Sequence, residues 1–103
     1  MKRGKVRSYV FSRPDKKRAV LILTGDSAWE FLGEVIVAPI TTPIRDIPSE
    51  VLLTEADGVP RDYAVNFDHL QTVSKGKIGS LIATLSSSKM QQMRPGLLFA
   101  LGF

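Results

Sequence analysis

The 103-residue sequence contains no cysteine and only one histidine, His69. Without cysteine, neither a disulfide framework nor a thiolate metal site can form. A single histidine excludes histidine-rich metal sites and any mechanism that needs a pair of histidines. The ten acidic residues are scattered singly, without the clustered spacing that a magnesium site needs. We therefore expect neither a metal nor another cofactor.

Several longer signals are also missing. No apolar run approaches the roughly 18 residues that a membrane-spanning helix requires, and the first thirty residues do not resemble a cleavable signal peptide. The chain has no glycine-rich phosphate loop and no Gly-x-Ser-x-Gly motif. We expect a cytoplasmic protein that makes no membrane contact. If it is an enzyme, its acid and base are unconventional.

The length and composition predict one domain over residues 1–103. The chain has a mass of 11.3 kDa and is 44% hydrophobic. A domain of this size buries roughly two-thirds of the surface that its unfolded chain exposes. A hydrophobic core can therefore form without covalent cross-links.

Charge is unevenly distributed along the chain, although the net charge is only +4. Residues 1–18 contain eight basic residues and one acid, and residues 19–68 contain nine acids and two bases. The remaining 35 residues contain four bases and no acid. This pattern predicts a basic face suited to a polyanion. A solvated basic terminus is the equally weighted alternative.

Short β-strands dominate the predicted secondary structure. Residues 19–23 form an unbroken apolar run, which is typical of a strand buried on both faces. A second buried strand covers 34–40, where Pro39 indicates an edge or a bulge. The remaining predicted strands are 6–11, 50–53, 63–67, 70–73 and 78–85.

Two helical segments accompany the strands. Asp26 or Ser27 is predicted to cap a short helix that Gly33 ends. After residues 85–88, apolar residues at helical spacing predict a C-terminal helix. An interior proline costs about 3 kcal/mol, so Pro95-Gly96 predicts a kink or two short helices. The predicted fold is mainly β with appended helices, as a strongly bent sheet or partly closed barrel.

Two strand ends carry groups able to bind phosphate. Arg18 precedes the apolar run, with Lys16 and Lys17 beside it, and Thr41 and Thr42 follow the second buried strand. A guanidinium matches a phosphate with two parallel hydrogen bonds, and a hydroxyl adds a donor without adding charge. By themselves, however, such residues are more often a surface ion pair and a turn.

The order of short segments along the chain resembles the MazF/PemK family of toxin endoribonucleases. The resemblance covers essentially the whole chain. The segments that carry it are MKRGKV at 1–6, KRAVLILT at 17–24, VIVAPITT at 35–42, PSEV at 48–51, GVPRD at 58–62, VNFDHLQTV at 65–73 and LGF at 101–103.

This resemblance implies an SH3-like β-barrel with a C-terminal helix that forms a homodimer. It implies metal-independent cleavage of single-stranded RNA, including mRNA, at short specific sequences, with 2′,3′-cyclic phosphate and 5′-hydroxyl ends. A cognate antitoxin would neutralise the activity. The catalytic pair falls on Arg18 and Thr41. The RNA-binding set, including the neighbouring basic residues, is Arg13, Lys16, Lys17, Thr42, Asn66, Asp68, His69 and Gln71.

The sequence departs from the family pattern at several positions, and two alternatives stay open. Ala19 stands where proline is usual, and His69 replaces a more usual glutamine. The first alternative is a protein similar to the CcdB branch, which inhibits DNA gyrase without cleaving RNA, because residues 101–103 faintly match that branch's ending. The second is a nucleic-acid binder that has lost activity, which only Ala19 favours. Arg18 and Thr41 favour the nuclease.

Overall fold

A computed structural model describes residues 2–11 and 17–103. Seven antiparallel strands and two α-helices form in these ranges, together with three 3₁₀ turns. The strands are β1 (Lys5–Val10), β2 (Lys17–Ile22), β3 (Glu34–Thr41), β4 (Glu50–Leu53), β5 (Tyr63–Asn66), β6 (Gln71–Ser74) and β7 (Ile78–Thr84). The helices are α1 (Asp26–Trp29) and α2 (Ser87–Leu101), and the 3₁₀ turns are Glu55–Asp57, Phe67–His69 and Lys75–Lys77.

All seven strands belong to one sheet, in which the order is β4-β5-β3-β2-β1-β7 and β6 also pairs with β3. The predicted strands therefore all form, with ends that differ by one or two residues. Within the described ranges the outer strands β4 and β7 do not pair with each other. The sheet is open, so the closure expected of a barrel is not confirmed.

Strand β3 changes partner in its middle. Its first half pairs with β6, up to Val37 opposite Gln71, and its end pairs with β5, from Ile40 opposite Val65. Two residues of β3 lie between Val37 and Ile40, whereas five residues lie between Val65 and Gln71 on the facing segment. The three extra residues leave the ladder as the Phe67–His69 turn.

Pro39 lies in this interval of β3. Ile36 N–H and C=O both point toward the β2 side, where they bond Thr24 and Leu23. Backbone groups alternate along a strand, so the nitrogen of Pro39 points toward the opposite side, where neither β5 nor β6 pairs with it. The proline predicted to mark an edge or bulge thus lies in an interior strand, at a break in the pairing.

The two faces of the sheet carry separate cores because side chains alternate along each strand. One face packs under α2, and its buried residues include Leu21, Ala38, Leu53 and Phe67. The other face buries Tyr9, Val20, Ile22, Val35, Val37 and Val73, with Phe11, Trp29 and Ile78 packed against them. A site on this second face is separated from α2 by the sheet.

Helix α2 runs unbroken through Pro95. The expectation of two short helices is wrong, whereas a kink stays a prediction. Ser86 caps its start by accepting a hydrogen bond from Lys89 N, as the serine run predicted. Gly96 is buried, and a Cβ there would lie 3.1 Å from Phe67 Cδ2 and 3.3 Å from Val51 Cγ2. Glycine thus lets the helix approach the Phe67–His69 turn closely.

The first helix is shorter than predicted. Gly25 is its N-cap residue, and no side chain caps it. The predicted cap Asp26 instead accepts a hydrogen bond from Arg3 N at 2.8 Å. The helix ends at Trp29, before it reaches Gly33.

In the described ranges, no helix has both the length and the apolar character needed to cross a membrane.

Candidate nucleic-acid groove

A groove of about 670 Å³ opens on the face of the sheet that is opposite α2. It lies where β1, β2, β3 and β6 meet, beside the Phe67–His69 turn. Its lining residues are Tyr9, Val10, Phe11, Arg18, Pro39, Thr41, His69, Gln71, Thr72, Val73 and Lys77. Four of the sequence-predicted site residues are therefore brought together here, namely Arg18, Thr41, His69 and Gln71.

The strand register explains why Arg18 and Thr41 meet. In the β2–β3 ladder, Val20 lies opposite Pro39 and Ile22 opposite Val37. Continued by two residues, the same register sets Arg18 opposite Thr41. Along their strands, both positions are an even number of residues from the buried residues beneath the groove. Both side chains therefore lie on that face of the sheet. Arg18 is exposed and Thr41 is half-buried, as a polyanion contact requires.

His69 and Gln71 enter the groove from the segment that crosses the break in β3 pairing. Gln71 opens β6 opposite Val37 and is exposed. The His69 ring lies 3.2 Å from Asn66, measured from Nδ1 to the amide Nδ2. Asn66 itself is only 4% exposed and does not line the groove. Its predicted role as an RNA contact is therefore not supported by its position.

Asp68 also lies outside the groove lining, because other side chains hold it. Its Oδ2 accepts hydrogen bonds from Ser49 Oγ at 2.6 Å and from Arg45 Nη2 at 3.3 Å. Arg45 also binds Glu50, at 2.6 Å from Nε to Oε2. The hydrogen bond to Glu50 raises the pKa of Arg45, and the charges of Glu50 and Asp68 add to the rise. This network fixes the start of the turn that carries His69.

The remaining predicted residues do not line the groove or lie outside the described ranges. Lys17 is exposed and lines a smaller pocket of about 220 Å³, whose lining includes Ala19 and Ile40 of the face under α2 and which Arg18 also borders. Thr42 is exposed and precedes a cis peptide bond to Pro43. Arg13 and Lys16 fall outside the described residues, so their predicted roles stay predictions.

Sequence reasoning missed seven of the eleven lining residues, and three of these, Tyr9, Phe11 and Lys77, carry a ring or a charge. Tyr9 and Phe11 form an edge-to-face pair with ring centroids 4.8 Å apart, and Lys77 lies on the rim. Tyr9 is also the direct strand partner of Arg18. The aromatic residues at alternate positions 9 and 11, next to the basic segment, are a signal that could have found the pair, whereas Lys75-Gly76-Lys77 indicates only a turn.

The groove combines cationic, hydroxyl, amide and aromatic groups. Arg18 and Lys77 attract phosphate, Thr41 and Gln71 donate hydrogen bonds, and Tyr9 with Phe11 offers ring surface. Single-stranded nucleic acids bind to such combinations because their bases are free to stack while their phosphates bind cations. Across the described residues, no three histidine, cysteine, aspartate or glutamate side chains are grouped so that they can hold a metal ion.

Comparison with known proteins gives consistent matches. Residues 2–101 match the family model for PemK-like, MazF-like toxins of type II toxin-antitoxin systems. The chain is 32% identical over 93 residues to a probable endoribonuclease, MazF2, of Mycobacterium tuberculosis, with 89% of each chain covered. The solved structure of the Mycobacterium tuberculosis toxin MazF-mt6 matches with a TM-score of 0.86 at 29% identity, covering 96% of this chain and 97% of that chain.

A solved mycobacterial endoribonuclease in complex with its cognate antitoxin also matches. The TM-score is 0.88 at 22% identity, with 100% of this chain and 96% of that chain covered. At this identity the likeness concerns the fold: a mainly β sheet with a C-terminal helix.

Proposed function

Because the chain belongs to the family of PemK-like, MazF-like toxins of type II toxin-antitoxin systems, we propose that it is a cytoplasmic endoribonuclease of one domain over residues 1–103. Its substrate is single-stranded RNA, including mRNA, cleaved at short specific sequences without a metal. The observation that carries this proposal is the convergence of Arg18, Thr41 and His69 on one groove.

The reaction is an attack of a ribose 2′-hydroxyl oxygen on the adjacent phosphorus. The new O2′–P bond replaces the P–O5′ bond, the 2′-hydroxyl gives its proton to solvent water, and the leaving O5′ takes a proton from solvent water. The products are a 2′,3′-cyclic phosphate and a 5′-hydroxyl. Arginine is a poor base because its guanidinium stays protonated in proteins. Arg18 therefore acts mainly by holding the phosphate and neutralising the charge that develops on its oxygens, with Thr41 as a second donor.

A cognate antitoxin is the proposed regulatory partner. A mycobacterial relative with the same fold has been solved with its antitoxin, which supports such a partner here. The groove is rimmed by Arg18 and Lys77, so an acidic, extended antitoxin segment suits it by charge. Inhibitor and RNA would then compete for the same surface.

A homodimer is the proposed assembly. The end of α2 leaves apolar side chains in solvent, with Phe99 60%, Leu101 53% and Phe103 92% exposed. Phe103 follows Gly102, whose left-handed backbone (φ 80°) ends the helix. Neighbouring exposed apolar residues of this kind are typical of a protein interface. The same Leu-Gly-Phe ending that faintly matches a gyrase-inhibiting branch thus terminates a helix here.

The deciding experiment maps the ends left on a long, weakly structured RNA by the purified chain in EDTA. We expect fragments that a polynucleotide kinase labels directly, because their 5′ ends carry hydroxyls, and 3′ ends that resist ligation until the cyclic phosphate is removed. The Arg18→Ala variant, purified in the same way, reports any contaminating ribonuclease. Intact RNA after prolonged incubation, with a folded protein, would overturn the proposal.

A further inference from the structure

The side chain of Asn66 connects the buried sheet to His69. Asn66 Oδ1 accepts a hydrogen bond from Asp68 N at 2.9 Å. A backbone N–H only donates, so the atom facing it must be the amide oxygen. The orientation of the Asn66 amide is thereby fixed, and the atom 3.2 Å from His69 Nδ1 is the nitrogen Nδ2.

That orientation determines where the His69 ring carries its proton. An amide nitrogen donates and has no lone pair to offer, so His69 Nδ1 must accept. In a neutral imidazole, one nitrogen accepts and the other carries the hydrogen. The hydrogen of His69 is therefore on Nε2, the second nitrogen of a ring that lines the groove.

We infer that Asn66 holds His69 in the Nε2–H tautomer, and that His69 acts as a neutral hydrogen-bond donor to an acceptor atom of the RNA. This inference rests on the proposed function for its ligand. The acceptor is a phosphate oxygen or an acceptor atom of a base, both of which match an N–H donor. Asn66 is then a positioning residue, which acts on the substrate only through His69.

The tautomer also limits what His69 does in the reaction. With Nδ1 occupied by Asn66 and hydrogen on Nε2, the ring has no free lone pair with which to take the 2′-hydroxyl proton. His69 consequently orients the RNA and does not act as the base. As a neutral donor it adds nothing to the salt dependence of RNA binding, in contrast to Arg18 and Lys77.

The first test determines the tautomer directly by ¹⁵N NMR on the full chain without a histidine tag. His69 is the only histidine, so a single imidazole spectrum results. In slightly alkaline solution we expect a hydrogen-bearing Nε2 and an unprotonated Nδ1. A wild-type spectrum with hydrogen on Nδ1 would overturn the inference.

Asn66→Asp is the matched variant for this measurement. A carboxylate has nearly the same shape and still accepts from Asp68 N, so the turn keeps its cap. It offers an acceptor to Nδ1 in place of a donor, and we expect hydrogen to appear on Nδ1. An unchanged ring spectrum in this variant would contradict the control of His69 by Asn66. Because the free protein is measured, this result is independent of whether the chain cleaves RNA.

The second test measures RNA affinity in the Arg18→Ala background, where cleavage is slow enough to leave the RNA intact during a titration. A neutral hydrogen bond contributes about 0.5–1.5 kcal/mol, so His69→Ala should weaken binding roughly two- to tenfold. His69→Gln keeps an N–H donor and should restore most of it, while Gln92→Ala on exposed α2 should change nothing. Equal affinity of the His69→Ala and parent proteins would overturn the donor role.

Substrate variants distinguish the two acceptors. A weakening that is equal for all RNA sequences supports a phosphate oxygen, whereas a weakening that disappears when one base is replaced supports an acceptor on that base.

Discussion

Arg18 and Thr41 fall opposite each other when the β2–β3 register is continued past its last paired residues, Val20 and Pro39. On its other side, Arg18 pairs with Tyr9 of β1. A cation, a hydroxyl and an aromatic ring therefore lie across three adjacent strands on one face. Side chains supported by a sheet are held more exactly in place than side chains on loops, which suits the binding of a reacting phosphate.

Replacing either member of this pair should slow RNA cleavage without unfolding the protein. We expect Arg18→Ala to lower the rate by about a hundredfold to a thousandfold, which is typical for removal of a preorganised donor, and Thr41→Ala by about tenfold or more. Arg18→Lys should also fail, since an ammonium lacks the two-pronged geometry of a guanidinium. Initial rates on a fluorescently labelled single-stranded RNA measure each effect.

Arg94→Ala is the control for these variants, because Arg94 is exposed on α2, across the sheet from the groove. It should cleave at the parent rate. Thermal unfolding followed by circular dichroism checks that all variants keep the parent stability. An Arg18→Ala protein with full activity and unchanged melting temperature would remove Arg18 from the reaction.

Cleavage should persist in excess EDTA. The chain has no cysteine and one histidine, and its acids are dispersed, so it offers few ligands for a resident metal. Rates before and after dialysis against the chelator should agree within the error of the assay. Activity that disappears on chelation and returns with magnesium would show that the proposed chemistry is wrong.

Reversing basic charges at the groove should weaken RNA and antitoxin binding together. Lys77 lines the groove, and Lys16 and Lys17 precede Arg18. Removing a cation that binds one RNA phosphate should reduce the slope of log affinity against log salt by about one. Titrations at several salt concentrations with Lys77→Glu and with Lys16→Glu/Lys17→Glu test this expectation.

Lys2→Glu serves as the comparison for the charge-reversal variants, since Lys2 is exposed and is not among the residues that line the groove. An antitoxin that binds the reversed proteins with full affinity while RNA binding collapses would locate the inhibitory contact elsewhere, with the apolar end of α2 as the next candidate.

Enlarging Gly96 should destabilise the fold. A Cβ alone would lie 3.1 Å from buried Phe67, so the branched side chain of Gly96→Val overpacks this contact by about 1–3 kcal/mol. Chemical denaturation measures the change in unfolding free energy. Gly33→Val is the matched control, because nothing lies within 4 Å of a Cβ at that position. Equal destabilisation of the two variants would contradict the close-packing role of Gly96.

The exposed end of α2 should mediate self-association. Light scattering at tens of micromolar is expected to give twice the chain mass for the parent protein, and the monomer mass for Phe99→Ser/Leu101→Ser. Phe31→Ser removes a similarly exposed ring elsewhere, at 87% exposure, and should leave the dimer intact. A parent protein of monomer mass would refute the proposed assembly.

The strands and the serine-capped helix were predictable because their signals are local. The apolar run 19–23 reports burial directly, and Ser86 caps α2 as a serine at a helix start should. Of the two alternatives expected at Pro95-Gly96, a kink or two short helices, the second is wrong because helix propensity takes no account of tertiary packing. Burial of Met93 and Gly96 against the sheet stabilises the helix. These tertiary contacts cannot be predicted from the local sequence.

The site was predictable only in part because it depends on register across strands. Arg18 and Thr41 were found through family resemblance, and their juxtaposition follows from pairing that no single segment encodes. Asn66 and Asp68 are residue types that often contact RNA. In the structure, Asn66 contacts His69, and Asp68 accepts hydrogen bonds from Ser49 and Arg45, so both residues stabilise the turn. Lys77 and Tyr9 line the groove because β1 pairs with both β2 and β7, and this pairing is equally non-local.

Pro39 has a consequence for how the chain reaches this arrangement. If residues 63–74 formed one uninterrupted strand along β3, the competing sheet would require a backbone hydrogen at position 39, which proline lacks. The missing hydrogen bond therefore raises the free energy of that alternative sheet. The three residues Phe67–His69 lie outside the ladder at this break in pairing, and His69 lines the groove there.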